Sequence, residues 1–406
     1  MSKRVARTAV LLTVAAAAFA AAAAASPPPT RITSLGVGPV PDYGMVNVNG
    51  TLYLVYQTTA SGSSAPNGLA MTAISPAGHV SASVPVLSGW TPGRPGLVFG
   101  SGFLEVVFGA MSPGPTPTSG VWAMNSSDLG HSWTPPANVA GGGPLEGLVH
   151  GADVTAQITG GNGVLTLPQA GGLVVQQGFG AGSPAQLVPG QHRNQLVVAG
   201  SDSGAGVYAA YTPDNTVVRL LRYGGGSVAV GKASGIGTDA LGVATGLARR
   251  IWVMWGDGHG VAVTRSNKAV TRFEPIQRLA YQSTTLYRLG GDGRNGPLDL
   301  LVDEIPNTPG QIPGTFFARV LPELSATVSV TAVKNTKGQV VLHKATVHVT
   351  DAGDPVGGAT VKIGGQQKKT SGSGTAKLTL PASLKGKVAV TVSAPGYATL
   401  TTIVHV

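Results

Sequence analysis

The 406-residue chain contains no cysteine, so no disulfide restrains its unfolded state and no thiol offers a site for a lipid anchor. Only 11% of its residues are charged, against 60 glycines and 29 prolines. That balance alone would suit a disordered chain, but 42% hydrophobic residues, many of them Val, Leu and Ile, can fill a core. Almost no window carries apolar residues at helical spacing. Short alternating or fully apolar runs recur instead, each ended by a Gly, Asn or Asp turn. Beyond residue 25 no apolar run is long enough to span a bilayer as a helix.

Met1 to Ala25 joins a basic start (Lys3, Arg4, Arg7) to an alanine-rich apolar stretch and small residues. This pattern predicts a secretory signal peptide cleaved near Ala25, with no transmembrane anchor left afterwards; the rival reading is an uncleaved anchor. The mature protein is then secreted or held at the cell surface. Residues 26–34 open on Ser-Pro-Pro-Pro-Thr, a stiff spacer. From Ser26 to Glu323, thirteen Arg and two Lys balance fifteen acids. A neutral region of that size gives no electrostatic ground for nucleic acid as partner. From Leu324 onward there are nine Lys, two Asp and no Arg; a solvated, solubilising surface is one reading and an anionic-polymer site the other.

Strand pairs start near Gly44, Leu97, Gly151, Arg193, Asp239 and Thr285. A period of about 40 to 55 residues with three or four strands per unit predicts an all-β, six-bladed β-propeller over 35–323. Residues 324–406 alternate strictly, from Ala326–Ala332 to Ala398–Val406, which predicts six strands of a small β-sandwich.

Ser126-Ser127-Asp128-Leu129-Gly130-His131-Ser132-Trp133 fits Ser-x-Asp-x-Gly-x-Ser/Thr-Trp. It resembles the Asp-box, or BNR repeat, of sialidase-like propellers. Asp128 suits acceptance of turn amides, Gly130 a positive φ, and Trp133 a plug beneath the hairpin. In that family the box joins outer strands, so Ser126, Asp128, Gly130 and Trp133 are read as structural. Ser266 to Phe273 is an eroded second copy that keeps the serine and an aromatic but lacks Asp and Gly. A sialidase-like enzyme would also bring three arginines to a carboxylate, with a Tyr/Glu pair and an aspartic acid. Arg31-Ile32-Thr33 only grazes the family's first arginine motif, and Glu105, Glu146 and Glu274 lack its catalytic context. In the tail, Gly358-Ala-Thr-Val361 and Pro395-Gly-Tyr397 resemble bacterial Ig-like and carboxypeptidase-regulatory-like domains, which are spacers or adhesive modules.

In a propeller the loops leading into the inner strands form the mouth. Asp42, Tyr43, Arg94, His150, Asp153, His192, Arg193, Asp239, Tyr287 and Arg288 lie there. Arg94, Arg193 and Arg288, with tyrosines and acids, suit a carboxylate or a sugar; the alternative is that they pair with one another. The spacing of His150, Asp153 and His192 is no recognised zinc pattern, so no metal and no cofactor is expected. Three functions follow: a non-catalytic protein presenting the mouth to an extracellular glycan, envelope polymer or protein; an exo-acting glycoside hydrolase of the sialidase-like class; or a structural surface component.

Overall fold

The computed structural model describes residues 30–32, 43–59, 66–140, 155–159, 162–169, 172–177, 185–189, 197–200, 207–212, 216–222, 225–232, 241–256, 260–279, 286–304 and 314–406. No α-helix occurs among them; a single 3₁₀ turn, Leu247–Arg249, interrupts an otherwise all-β chain.

Six antiparallel sheets come first. The first comprises Tyr43–Val48, Thr51–Thr59, Pro66–Ile74 and Val84–Ser88 in that order. The third, fourth and fifth repeat this meander from Thr155–Thr159, Val197–Gly200 and Leu241–Thr245. Each sheet's leading strand touches that of the next, and the leading strand of the sixth, Leu286–Asp292, touches the first. Six meanders joined in this cycle form a β-propeller with their leading strands innermost.

Close approach of inner strands needs small residues. A Cβ on Gly44 would lie 2.6 Å from both Leu97 N and Pro95 O, so only glycine fits between the first and second sheets. Leu52, Leu54 and Tyr43 of the first sheet pack on Leu301 and Phe317 of the sixth in one buried cluster. Trp252, Met254 and Ala244 of the fifth meet Leu289, Leu298 and Leu300 of the sixth in another.

The sixth sheet corrects the sequence reading at one point. Its outermost strand is Thr30–Ile32, paired with Thr315–Phe317, so residues assigned to the 26–34 spacer belong to the propeller. Three residues after a proline run carry too little alternation to announce a strand.

From Leu324 two sheets pack face to face. Ser325–Lys334, Val340–Asp351 and Thr375–Pro381 form one, with Asp354–Pro355 at its margin. Gln366–Lys369, Thr360–Ile363, Lys387–Ser393 and Leu400–His405 form the other. Their inward residues, among them Val347, Val361, Leu380 and Val392, make a dry core. Gln366–Lys369 goes beyond the six expected strands, because all four of its residues are exposed and show no apolar alternation.

Candidate functional site

The inner strand of the second sheet is broken. Thr91–Pro92 and Gly96–Gly100 both pair with Phe103–Met111, but three residues, Gly93 to Pro95, stand opposite two, Phe108 and Gly109. This is a β-bulge, a device that takes a side chain out of the ladder and re-aims it. The residue so re-aimed is Arg94, whose Nε donates to the Tyr43 carbonyl at 3.4 Å.

Tyr43 begins the first sheet and is buried; its ring lies against Gly290, and its hydroxyl donates to the Leu301 carbonyl at 3.4 Å. In the sixth sheet Arg288, Asp303 and Thr315 are register partners across three adjacent strands, so their side chains share one face. Thr315 Oγ1 donates to Asp303 Oδ1 at 2.6 Å, while Oδ2 is buried with no hydrogen bond among the described residues.

Charge and burial compete within this group. Burial pushes the Asp303 carboxyl up to about 7 against the pull of Thr315, Arg288 and Arg94. Burial also lowers Arg288 to about 10, with Asp303 opposing. The Tyr43 hydroxyl is raised by burial and by Asp303, less the effect of Arg94. Among the described residues, two guanidinium groups thus lie near one carboxyl that is only partly ionised near neutral pH. Arg94 is half-buried and forms no ion pair among the described residues.

Of the residues assigned to the mouth from sequence, Tyr43, Arg94 and Arg288 come together here. Tyr287 lies in the inner strand of the sixth sheet, one residue from Arg288. Asp42, His150, Asp153, His192, Arg193 and Asp239 lie outside the described residues. Asp303 was missed. Its trace in the sequence is the alternation Asp299, Leu301, Asp303, which places two acids on one face of the strand Leu298–Glu304.

The turn after Ser119–Ser126 has the hydrogen bonds its sequence suggests. Asp128 Oδ1 accepts from Ser126 Oγ (2.8 Å) and Ser132 N (2.9 Å), and Oδ2 accepts from Ser132 Oγ (2.6 Å). The bonds from Ser132 and Ser126 hold the Asp128 carboxyl well below the usual carboxylate range. Trp133 Nε1 donates to Gly130 O at 3.1 Å, and Gly130 has φ +95°. Both Asp128 oxygens are thus engaged within the turn. A Cβ at Gly130 would also fall 1.9 Å from Met71 Cε. Gly130→Ala is therefore expected to destabilise the propeller by about 1–3 kcal/mol, measured as a lower urea midpoint with unchanged slope.

The corresponding turn of the fifth sheet, Ser266 to Phe273, is a docking surface for the sandwich. Asn267 Oδ1 accepts from Thr271 N at 2.8 Å and Arg272 N at 3.2 Å, and Val270 holds φ +54°. Another amide of the turn, Lys268 N, donates to Asp354 Oδ2 of the sandwich at 2.9 Å. Beside it lies a buried charge cluster. Arg265 Nη2 sits 2.7 Å from Asp351 Oδ2 and 3.0 Å from Glu274 Oε1. Arg250 Nη2 reaches Asp351 Oδ2 at 3.0 Å and Asp354 Oδ2 at 2.9 Å. Tyr397 OH donates to Asp351 Oδ2 at 2.7 Å, and the Arg265 guanidinium lies between the Trp252 and Tyr397 rings.

Two cations face three carboxyls, of which Asp351 and Glu274 are fully buried and Asp354 is partly exposed, so one negative charge is in excess. Burial first, then the bond to Asp351, pushes Glu274 up to about 9 against the pull of Arg265. Burial works against the Asp351 charge, yet the bond from Glu274 and the arginines hold its carboxyl below the usual value. Protonation of Glu274 leaves the two arginines facing two carboxylates.

No protein family and no curated protein matches this chain. Solved structures overlap it loosely. A GH43_1 enzyme from Xanthomonas citri is 12% identical, covering 78% of this chain and 92% of its own with a TM-score of 0.41. The Bombyx mori GH32 beta-fructofuranosidase BmSUC1 is 12% identical, with 94% and 89% covered and a TM-score of 0.38. The exo-beta-1,3-galactanase Pc1,3Gal43A from Phanerochaete chrysosporium gives 12%, 94%, 98% and 0.34. Overlap this loose assigns no activity.

Proposed function

We propose that this chain is an exported binding protein, a six-bladed propeller of the Asp-box type joined to an Ig-like sandwich, whose mouth takes an acidic extracellular glycan. One observation supports the reading: the bulge at Gly93 to Pro95 turns Arg94 onto Tyr43, near Arg288 and Asp303, where it forms no ion pair among the described residues. The turn at Ser126 to Trp133 supports the Asp-box type, and the sandwich strand order supports the Ig-like assignment. Export rests on Met1 to Ala25.

A glycan array probed with the full chain tests the binding. Glycans bearing a carboxylate are expected to bind, and Arg94→Ala to weaken them by about tenfold or more, the worth of a charged hydrogen bond. Preference for neutral glycans, or an unaffected Arg94→Ala variant, would sink the proposal.

Glycoside hydrolysis is a second reading favoured by one feature, a buried Asp303 carboxyl at about 7, in the range of a general acid. It needs a second carboxyl, for which Asp42, Asp153 and Asp239 are the candidates from sequence. Release of reducing sugar from the bound glycans, lost in Asp303→Asn, would establish it over binding alone.

A further inference from the structure

We infer that the outer face of the sandwich sheet containing Thr360–Ile363 and Lys387–Ser393 is a docking surface for an acidic polysaccharide. The inference does not rest on the propeller mouth. It begins with the junction, where the sandwich's two acids are engaged by the propeller: Asp351 by Arg250 and Arg265, and Asp354 by Arg250. The rest of the sandwich surface then displays nine lysines, all exposed, with no carboxylate side chain among them and no ion pair to any of them among the described residues. Solubility alone is ordinarily served by mixed signs, so a face of one sign is a feature to explain.

Strand register gathers several of these lysines. Lys362 points outward between buried Val361 and Ile363, and pairs with Gln367 and Thr391 on either side. One row along, Lys369 pairs with Thr360, which pairs with Ser393. The stems of Lys362 and Lys369 are diagonal neighbours about 8 Å apart, from strand spacing and rise. Further down the same face Lys387 pairs with His405. Lys368 on the edge strand and Lys385 in the adjoining turn are exposed beside it. Hydroxyls of Thr360, Thr391 and Thr401 stand between the charges, suited to sugar hydroxyls.

The residue types select among polyanions. There is no arginine to grip phosphate in bidentate fashion, and Tyr397, the sandwich's one aromatic, already holds Asp351 and covers Arg265. A nucleic acid would find no stacking platform, and a membrane no aromatic belt. Lysine point charges among hydroxyls fit a chain of uronate or sulfated sugars.

The test uses the full chain with alginate and dextran sulfate as probes, neutral dextran as control, and single-stranded DNA and anionic phospholipid vesicles as competitors of other classes. Binding to the two acidic polymers is expected, falling as salt is raised from about 50 to about 200 mM. The triple variant Lys362→Gln/Lys369→Gln/Lys387→Gln is expected to lose about tenfold or more in affinity at the lower salt. Lys334→Gln/Lys344→Gln/Lys377→Gln, the same change of charge on the opposite sheet, is expected to stay within about twofold. Equal loss in both triples would reduce the effect to net charge and overturn the inference. So would no binding at low salt, tighter binding of DNA or vesicles, or loss of alginate binding in Arg94→Ala, which would place the polymer at the mouth. All six lysines are exposed, and an unchanged melting temperature verifies that the variants fold.

Discussion

Asp351→Ala is expected to cost about 3–5 kcal/mol, because it leaves two guanidinium groups buried without their shared counter-ion. Both arginine side chains are at most 6% exposed, so water cannot replace the lost carboxylate. The damage is local to the junction and has a distinct signature. In the parent chain the connection is pinned on both sides: Gln277 Nε2 donates to Leu321 O at 2.9 Å, Glu323 N to Glu274 Oε2 at 3.1 Å, and Ala398 N to Pro322 O at 2.9 Å. Propeller and sandwich are thus expected to unfold in one calorimetric transition, and Asp351→Ala to split it in two. Asp351→Asn should be milder, since Glu274 can then ionise and take over part of the charge. Equal losses in the two variants would mean that shape matters here and charge does not.

The stability of the junction is expected to fall as pH rises from about 5 to about 9. Folded Glu274 is pushed up to about 9, mainly by burial, whereas in the unfolded chain it returns to the ordinary glutamate value. Between those two values the unfolded chain has released a proton that the folded chain still holds, so alkalinity favours unfolding. This contribution is complete below the unfolded value and gone above about 9. Asp351 runs the other way: held low when folded, its contribution is present above the unfolded aspartate value and is lost as pH falls. Glu274→Gln removes the titrating proton and keeps one acceptor oxygen, at the cost of one of the two bonds that Glu274 accepts from Arg265 and Glu323 N. Urea midpoints across pH 4 to 9 are expected to lose their alkaline decline in Glu274→Gln while retaining the acid limb. Asp303, also raised by burial, contributes a similar decline up to about 7 in both proteins and cancels in the difference. A Gln variant that declines in parallel with the parent would refute the assignment.

The propeller strands were legible where apolar alternation was strong. The runs beginning at Gly44, Leu97 and Arg250 all fall on or beside strands. Trp133, read as a plug beneath the hairpin, bonds Gly130 O within the turn, and the next strand follows at Ala137–Ala140. The charge cluster at the junction was illegible for another reason. Arg265 and Asp351 are 86 positions apart, and only the packing of one domain on the other brings them to 2.7 Å. Glu274 looked featureless for the same reason. The faded turn at Ser266 to Phe273 had a visible oddity, its missing Asp and Gly, whose meaning came only from the partner surface: Asp354, in the sandwich, accepts the turn's Lys268 amide.

The pairing of Thr30–Ile32 with Thr315–Phe317 bears on how the protein assembles. The sixth sheet cannot be completed until nearly three hundred intervening residues have found their places, so the ring is sealed late and non-local contacts govern the rate. Until then every molecule carries both a loose first strand and a vacant edge of matching register. Those two features are identical from copy to copy, so at high concentration self-sealing competes with exchange of the strand between neighbours. Dilute refolding favours the closed monomer, and crowding during refolding favours strand-swapped assemblies.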